Sequence, residues 1–190
     1  MVDYYTYLEL YIDDIRKSVS LSEFEKHFQI PHQTVKVHLS SLVKKRILLE
    51  EKKPRLRVYS LNREHPLLKE YLSIMEKERL IAFLEKNALF SRLHMSLTPY
   101  FSSNKILLFG SAVEKKDFSD IDILILSKDK TVHVALKNIS ATYTVKFHII
   151  QTDESHLTNV FLQEVRKKHI FLNNHDYFIE LLYEHDLKIT

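Results

Sequence analysis

The residues best suited to chemistry lie in Leu108–Leu126, LFGSAVEKKDFSDIDILIL. This stretch holds the single glycine of the 190-residue chain, Gly110, followed by Ser111 and then by Asp120 and Asp122. A glycine at a strand end lets the backbone approach a ligand without a Cβ, and the serine after it adds a hydroxyl and an N–H aimed the same way, which suits a phosphate. Two aspartates spaced by two on a strand project their carboxylates from one face, where they can share a divalent cation. A phosphate cradle beside cation-binding carboxylates is what phosphoryl transfer needs. Two short buried strands must hold these groups: Ile106–Phe109 is apolar throughout, and Ile121–Leu126 is apolar apart from Asp122.

The order Phe109, Gly110, Ser111, then Ser119, Asp120, Ile121 and Asp122 with the apolar run behind it resembles the nucleotidyltransferase superfamily of the DNA polymerase beta type, and within it the minimal nucleotidyltransferases. The resemblance implies a small mixed-sheet nucleotidyltransferase-like domain. It also implies that Gly110 and Ser111 hold the triphosphate of a nucleoside triphosphate, and that Asp120 and Asp122 are the catalytic pair and hold magnesium or manganese. The chain departs from the family pattern in two places. The connection after Gly-Ser is short and has no second glycine, being filled by Ala112, Val113, Glu114, Lys115 and Lys116. The family's third carboxylate belongs on a later strand, and the candidate, Tyr143–Gln151, sets Val145, Phe147 and Ile149 on one face and Thr144, Lys146 and His148 on the other, with no acid. Asp153 and Glu154 lie past the strand end. Two-ion chemistry needs enough negative charge to hold both ions, so the residues leave an active transferase and a nucleotide-binding relative without turnover both open.

A second organisation fills the first third of the chain. Ser18–Ser22 is expected to open a short helix, with Ser20 or Ser22 as cap and Glu23 or Glu25 in its first turn. Pro31 fits the first turn of a second helix in which Val35, Leu39, Leu42 and Val43 recur at helical spacing. Ile47–Leu49 then reads as a strand, Glu51–Pro54 as a charged turn and Leu56–Leu61 as a returning strand. Helix, turn, helix and hairpin make a winged helix. The run Thr34–Leu39, then Leu42 and Lys44–Leu48, resembles the winged helix-turn-helix regulators of bacteria and archaea, with Arg46 where a glycine commonly ends the helix. His32, Gln33, Lys36, Ser40 and Lys44 are the candidate contacts to base edges and phosphates of double-stranded DNA, and Lys52, Lys53, Arg55 and Arg57 the candidate contacts to its backbone. A solvated charged face on a protein-contact module is the competing reading.

Composition sets the frame: 45% of residues are hydrophobic, enough for real cores, and the net charge of +3 puts the weight on local clusters. There is no cysteine, which excludes disulfides, thiol nucleophiles and cysteine zinc sites. No signal peptide or membrane-spanning run is visible, so a cytoplasmic protein is expected. From Pro66 an amphipathic helix carries Leu67, Leu68, Tyr71, Leu72 and Met75, then Leu80, Ile81, Phe83 and Leu84. The expected architecture is therefore α+β, with a winged helix-turn-helix over 1–65 and, over 66–190, a connecting helix and the nucleotidyltransferase-like domain. A first helix with Tyr4, Tyr7, Leu8, Tyr11, Ile12 and Ile15 has aromatic surface for the core and for a homodimer contact. After Ser155 two helices are expected, around Leu157–Val165 and Tyr177–Leu182. Three functions follow: a nucleotidyltransferase brought to DNA, a transcription regulator whose second domain senses a nucleotide or dimerises, and an antitoxin-like enzyme that modifies a partner protein.

Overall fold

A computed structural model describes residues 4–54, 56–115 and 117–187. The fold is mixed α+β with two small sheets. The chain divides into two compact units, one made of the residues up to Met75 together with the chain from Ile179, the other Glu76–Phe178.

In the first unit a 3-10 helix, Tyr4–Tyr11, leads to β1 (Ser18–Ser20), α1 (Leu21–Phe28), α2 (His32–Lys44), β2 (Leu48–Lys53) and β3 (Leu56–Leu61). The strands form an antiparallel sheet in the order β1-β3-β2. Ser18–Ser20, expected to open a helix, is instead a strand paired with β3, and its last residue caps α1. The Ser20 hydroxyl accepts the Glu23 N–H at 3.3 Å while the Glu23 carboxylate accepts the Ser20 N–H at 2.7 Å, a capping box that holds the Glu23 carboxyl below its usual range. Val35, Leu39 and Leu42 are the buried stripe of α2. That helix closes in a left-handed turn after all: Arg46 itself takes φ 58°, its N–H donates to the Val43 carbonyl and the Ile47 N–H to the Leu42 carbonyl. Asn62 pins the turn by donating to the Arg46 carbonyl at 2.8 Å. The hairpin turn is narrower than Glu51–Pro54, because Glu51, Lys52 and Lys53 stay in register with Val58, Arg57 and Leu56. The core is aromatic, with Tyr7 and Phe24 5.9 Å apart, Phe24 edge-on to Tyr59 at 6.1 Å, and the Tyr11 hydroxyl donating to the Tyr59 carbonyl at 2.8 Å. The end of the final helix α7 (His175–Leu187) belongs to this unit: Tyr183 donates to the Ile12 carbonyl at 2.7 Å and Asp186 pairs with Arg16 at 2.7 Å.

The helix expected from Pro66 is α3 (Leu68–Lys86); it stops at Asn87, whose backbone is extended, and α4 (Ala88–Leu97) starts afresh. The second unit continues with β4 (Lys105–Phe109), β5 (Ile121–Leu126), α5 (Val132–Tyr143), β6 (Phe147–Thr152), α6 (Asn159–Lys167), β7 (His169–Phe171) and the start of α7. Its sheet runs β6-β5-β4-β7 and is mixed: β5 and β6 are parallel, joined through α5, and the other two pairs are antiparallel. The strand expected from Tyr143 begins only at Phe147, because Tyr143 ends α5 and Thr144 turns the chain at φ 54°. Both faces of β5 are covered, so that in Ile121–Leu126 only Asp122 is not buried. Ile106, Leu108, Ile121, Ile123 and Ile125 from the sheet meet Leu93 and Leu97 of α4 and Leu136 of α5 in one core.

A buried ionic group ties α3 to β7. Glu76 lies 2.6 Å from Arg79 and 3.3 Å from His169 Nε2, and Arg79 also donates to the His169 carbonyl at 3.0 Å. Burial pushes the Glu76 carboxyl up, but the Arg79 guanidinium and His169 outweigh it and hold it below its ordinary range. A buried carboxylate paired on two sides avoids the several kcal/mol that an unpaired one would cost.

Candidate functional site

The antiparallel register of β4 and β5 sets Phe109 opposite Asp122, so the residue after Phe109, Gly110, meets the Asp122 side chain. Gly110 has φ 77° and ψ −156°, a region open essentially to glycine alone. A Cβ added there would run into the Asp122 carboxylate. The missing side chain thus makes room for the aspartate. The Gly110 N–H donates to the Lys168 carbonyl at 3.1 Å, which joins the loop to the chain entering β7. Ser111 opens a single 3-10 turn, Ser111–Val113, and its carbonyl accepts the Lys115 N–H at 3.0 Å.

Asp122 is the second residue of β5, whereas Asp120 precedes the strand. The two carboxylates therefore do not follow from strand alternation alone, and a turn residue brings one of them. Asp120 accepts a hydrogen bond from the Ser119 hydroxyl at 2.6 Å. Across the parallel pair, Asp122 is in register with His148 of β6, and the His148 Nδ1–H donates to Asp122 Oδ1 at 2.8 Å. The position facing Asp122 on the third strand is thus held by an imidazole, and Lys146, which precedes β6, uses its carbonyl to accept the Ile121 N–H at 2.9 Å. Among the described residues no group of three or more His, Asp or Glu side chains is arranged to hold a metal ion. Asp120 and Asp122, the latter already accepting from an imidazole N–H, are carboxylates of the type that holds hard divalent ions, which are commonly bound by one or two carboxylates and the oxygens of a substrate's phosphates.

The second candidate surface lies wholly in the first unit. His32, Gln33, Lys36, Ser40 and Lys44 are all exposed and occupy one side of α2, away from Val35, Leu39 and Leu42. A groove of about 580 Å³ between α1, the first turns of α2 and the hairpin gathers His32 and Lys36 with Lys52, Lys53 and Arg57. Gln33, Ser40 and Lys44 lie outside this groove, and Arg55 lies outside the described residues. Three of these five basic side chains have acidic neighbours: His32 Nδ1 bonds Glu25 of α1, Arg57 pairs with Glu50 at 3.1 Å, and Lys53 with Glu51 at 3.5 Å. Lys36 and Lys52 have no ion-pair partner among the described residues. Glu25 and Leu21, which line the groove from α1, have no marker in the sequence, since only the tertiary approach of α1 to the hairpin turns them toward it. No protein-family model, curated protein or solved structure matches this chain.

Proposed function

We propose that the chain is a DNA-binding protein in which a winged helix-turn-helix unit is joined to a nucleotidyltransferase-like unit that binds a nucleoside triphosphate with magnesium or manganese. The observation that carries this reading is the meeting of Gly110 with Asp122 across β4 and β5, which puts the Gly-Ser turn and the carboxylates at one end of a mixed sheet. In this reading Gly110 and Ser111 hold the phosphate chain through the backbone and the Ser111 hydroxyl, and Asp120 and Asp122 hold the ion. The ion supplies charge neutralisation on the phosphate oxygens. Transfer would form a bond from an acceptor hydroxyl oxygen to the α-phosphorus and break the bond from that phosphorus to the bridging oxygen, releasing pyrophosphate and the hydroxyl proton. His148 opposite Asp122 favours a second reading, in which the nucleotide is bound and sensed without transfer. The exposed cations of α2 and the hairpin support the DNA-binding half.

Calorimetry with a nucleoside triphosphate and magnesium tests the proposal. The wild type should bind, and Asp120→Asn with Asp122→Asn should abolish cation-dependent binding while duplex affinity stays within about twofold, because the two sets of residues lie in different units. Equal nucleotide affinity in wild type and double variant would remove the nucleotidyltransferase-like reading. Labelled-nucleotide transfer by the wild type then separates enzyme from sensor.

A further inference from the structure

We infer that the groove between α1, α2 and the hairpin is a binding site for a nucleoside polyphosphate, and that this ligand competes with DNA for it. The inference rests on the winged-helix reading only for its competition part. A surface that served the duplex backbone alone would need cations and small polar donors, because phosphates present charge and no apolar face. This groove has a mixed lining. Lys36 and Lys52 are unpaired cations among the described residues, and Lys53 and Arg57 add charge beside them. Lining the same groove are Leu21 and Leu56, the latter keeping 44% of its surface exposed, and the Glu25 carboxylate, one oxygen of which bonds His32 Nδ1.

A carboxylate in a cationic groove repels a bare phosphate but accepts hydrogen bonds from an amino-bearing ring. The apolar side chains offer such a ring an apolar face. A volume of about 580 Å³ matches an organic ligand of nucleotide size, since small-molecule sites generally fall between roughly 300 and 1,000 Å³. Phosphates on the lysines and a hydrogen-bond-donating base against the leucines and Glu25 use the cationic, apolar and acidic groups of the groove together. The lysines that would take the phosphates are the same ones that would take the DNA backbone, so occupancy by one ligand excludes the other.

The probe is a ribose-labelled fluorescent guanosine triphosphate, titrated in EDTA against the full chain carrying Asp120→Asn and Asp122→Asn, which silences cation-dependent binding at the other unit. Saturable binding is expected, at least about tenfold tighter than that of inorganic tripolyphosphate, and weakened at least about tenfold by adding Lys36→Ala and Lys52→Ala. Both lysines are exposed, so the thermal midpoint should not move. Saturating nucleotide should also release a labelled duplex. No saturation, tripolyphosphate binding as tightly as the nucleotide, or indifference to the lysine substitutions overturns the site. A duplex that stays bound at saturating nucleotide overturns the competition. A duplex that never binds overturns the winged-helix reading instead, and the nucleotide isotherm still decides the groove.

Discussion

Gly110 meets two constraints at once, a backbone conformation and a lack of space, and they are separable by mutation. Alanine at 110 would suffer the unfavourable φ and ψ and would press on the Asp122 carboxylate. The first effect costs about 1–3 kcal/mol by itself. Gly110→Ala should therefore lower unfolding free energy by at least about 2 kcal/mol in urea titrations, and combining it with Asp122→Ala should cost clearly less than the sum of the two single changes. Strict additivity would mean that the glycine and the aspartate do not share their space. His175 makes a different prediction. It is buried, its Nε2 has no hydrogen-bond partner among the described residues, and burial pushes its pKa down from 6.5 to about 4 despite the nearby Glu76 carboxylate. A depressed pKa means that the unfolded chain binds the proton first, so this contribution to stability is whole above pH 6.5 and is lost as pH falls toward 4. The loss is of the order of 2–3 kcal/mol. Urea midpoints between pH 7.5 and 4.5 should fall in the wild type and fall less in His175→Gln, which has nothing to titrate at that position. A pH slope unchanged in the variant would refute the assignment.

At the scale of elements, the chain makes its left-handed turns almost without glycine. Gln29, Arg46, Thr144 and Asn174 all take positive φ, at or just past helix ends or, for Asn174, just before α7. An L-residue there costs about 1 kcal/mol or somewhat more, and Arg46 is held in place by Asn62 and by the two backbone bonds that close α2. Arg46→Gly should raise the thermal midpoint, corresponding to about 0.5–1 kcal/mol, since relief of the backbone strain exceeds the extra freedom of the unfolded glycine. A lowered midpoint would show that the Arg46 side chain supplies more than it costs. The same scarcity of glycine governs what could be read from the sequence. Runs with a clear period and a polar boundary were legible: α2 from Val35, Leu39 and Leu42, β4 from its apolar run and β5 from one broken by Asp122 alone. The end of α5 was not, because Thr144, Lys146 and His148 alternate with Val145, Phe147 and Ile149 like a strand and Thr144, a β-branched residue in a left-handed turn, gives no signal of a helix stop. β1 was hidden for a related reason: three residues, two of them serines, look like the polar approach to a helix, and only pairing with Val58–Ser60 makes them a strand. Within the candidate site, Gly110, Ser111, Asp120 and Asp122 stood out by type and order. The hydrogen bond from His148 to Asp122 needed the β5–β6 register, which periodicity fixes only to a face.

For the molecule as a whole, the winged-helix reading predicts duplex binding that weakens steeply with salt, by about 0.9 in log–log slope for each phosphate neutralised. Charge reversal of Lys52 and Lys53 should lower affinity and reduce that slope by about 2, measured by fluorescence anisotropy from 50 to 200 mM salt. Absence of binding at low salt, or an unchanged slope, would turn the basic face into a protein-contact surface. The division of the chain was the least legible feature at this scale, since nothing in the residues around Phe178 and Ile179 marks a boundary and α7 is continuous across it. That division bears on how the protein is made. Domains ordinarily fold as they leave the ribosome, amino-terminal first, at a pace of about 5–20 residues per second. Here the unit that contains the first 75 residues lacks its last strap, with the Tyr183 bond to Ile12 and the Asp186 pair with Arg16, until the contiguous Glu76–Phe178 unit has already been synthesised. The later-translated unit is complete first, and the amino-terminal one must wait, partly open, for its closing segment to emerge.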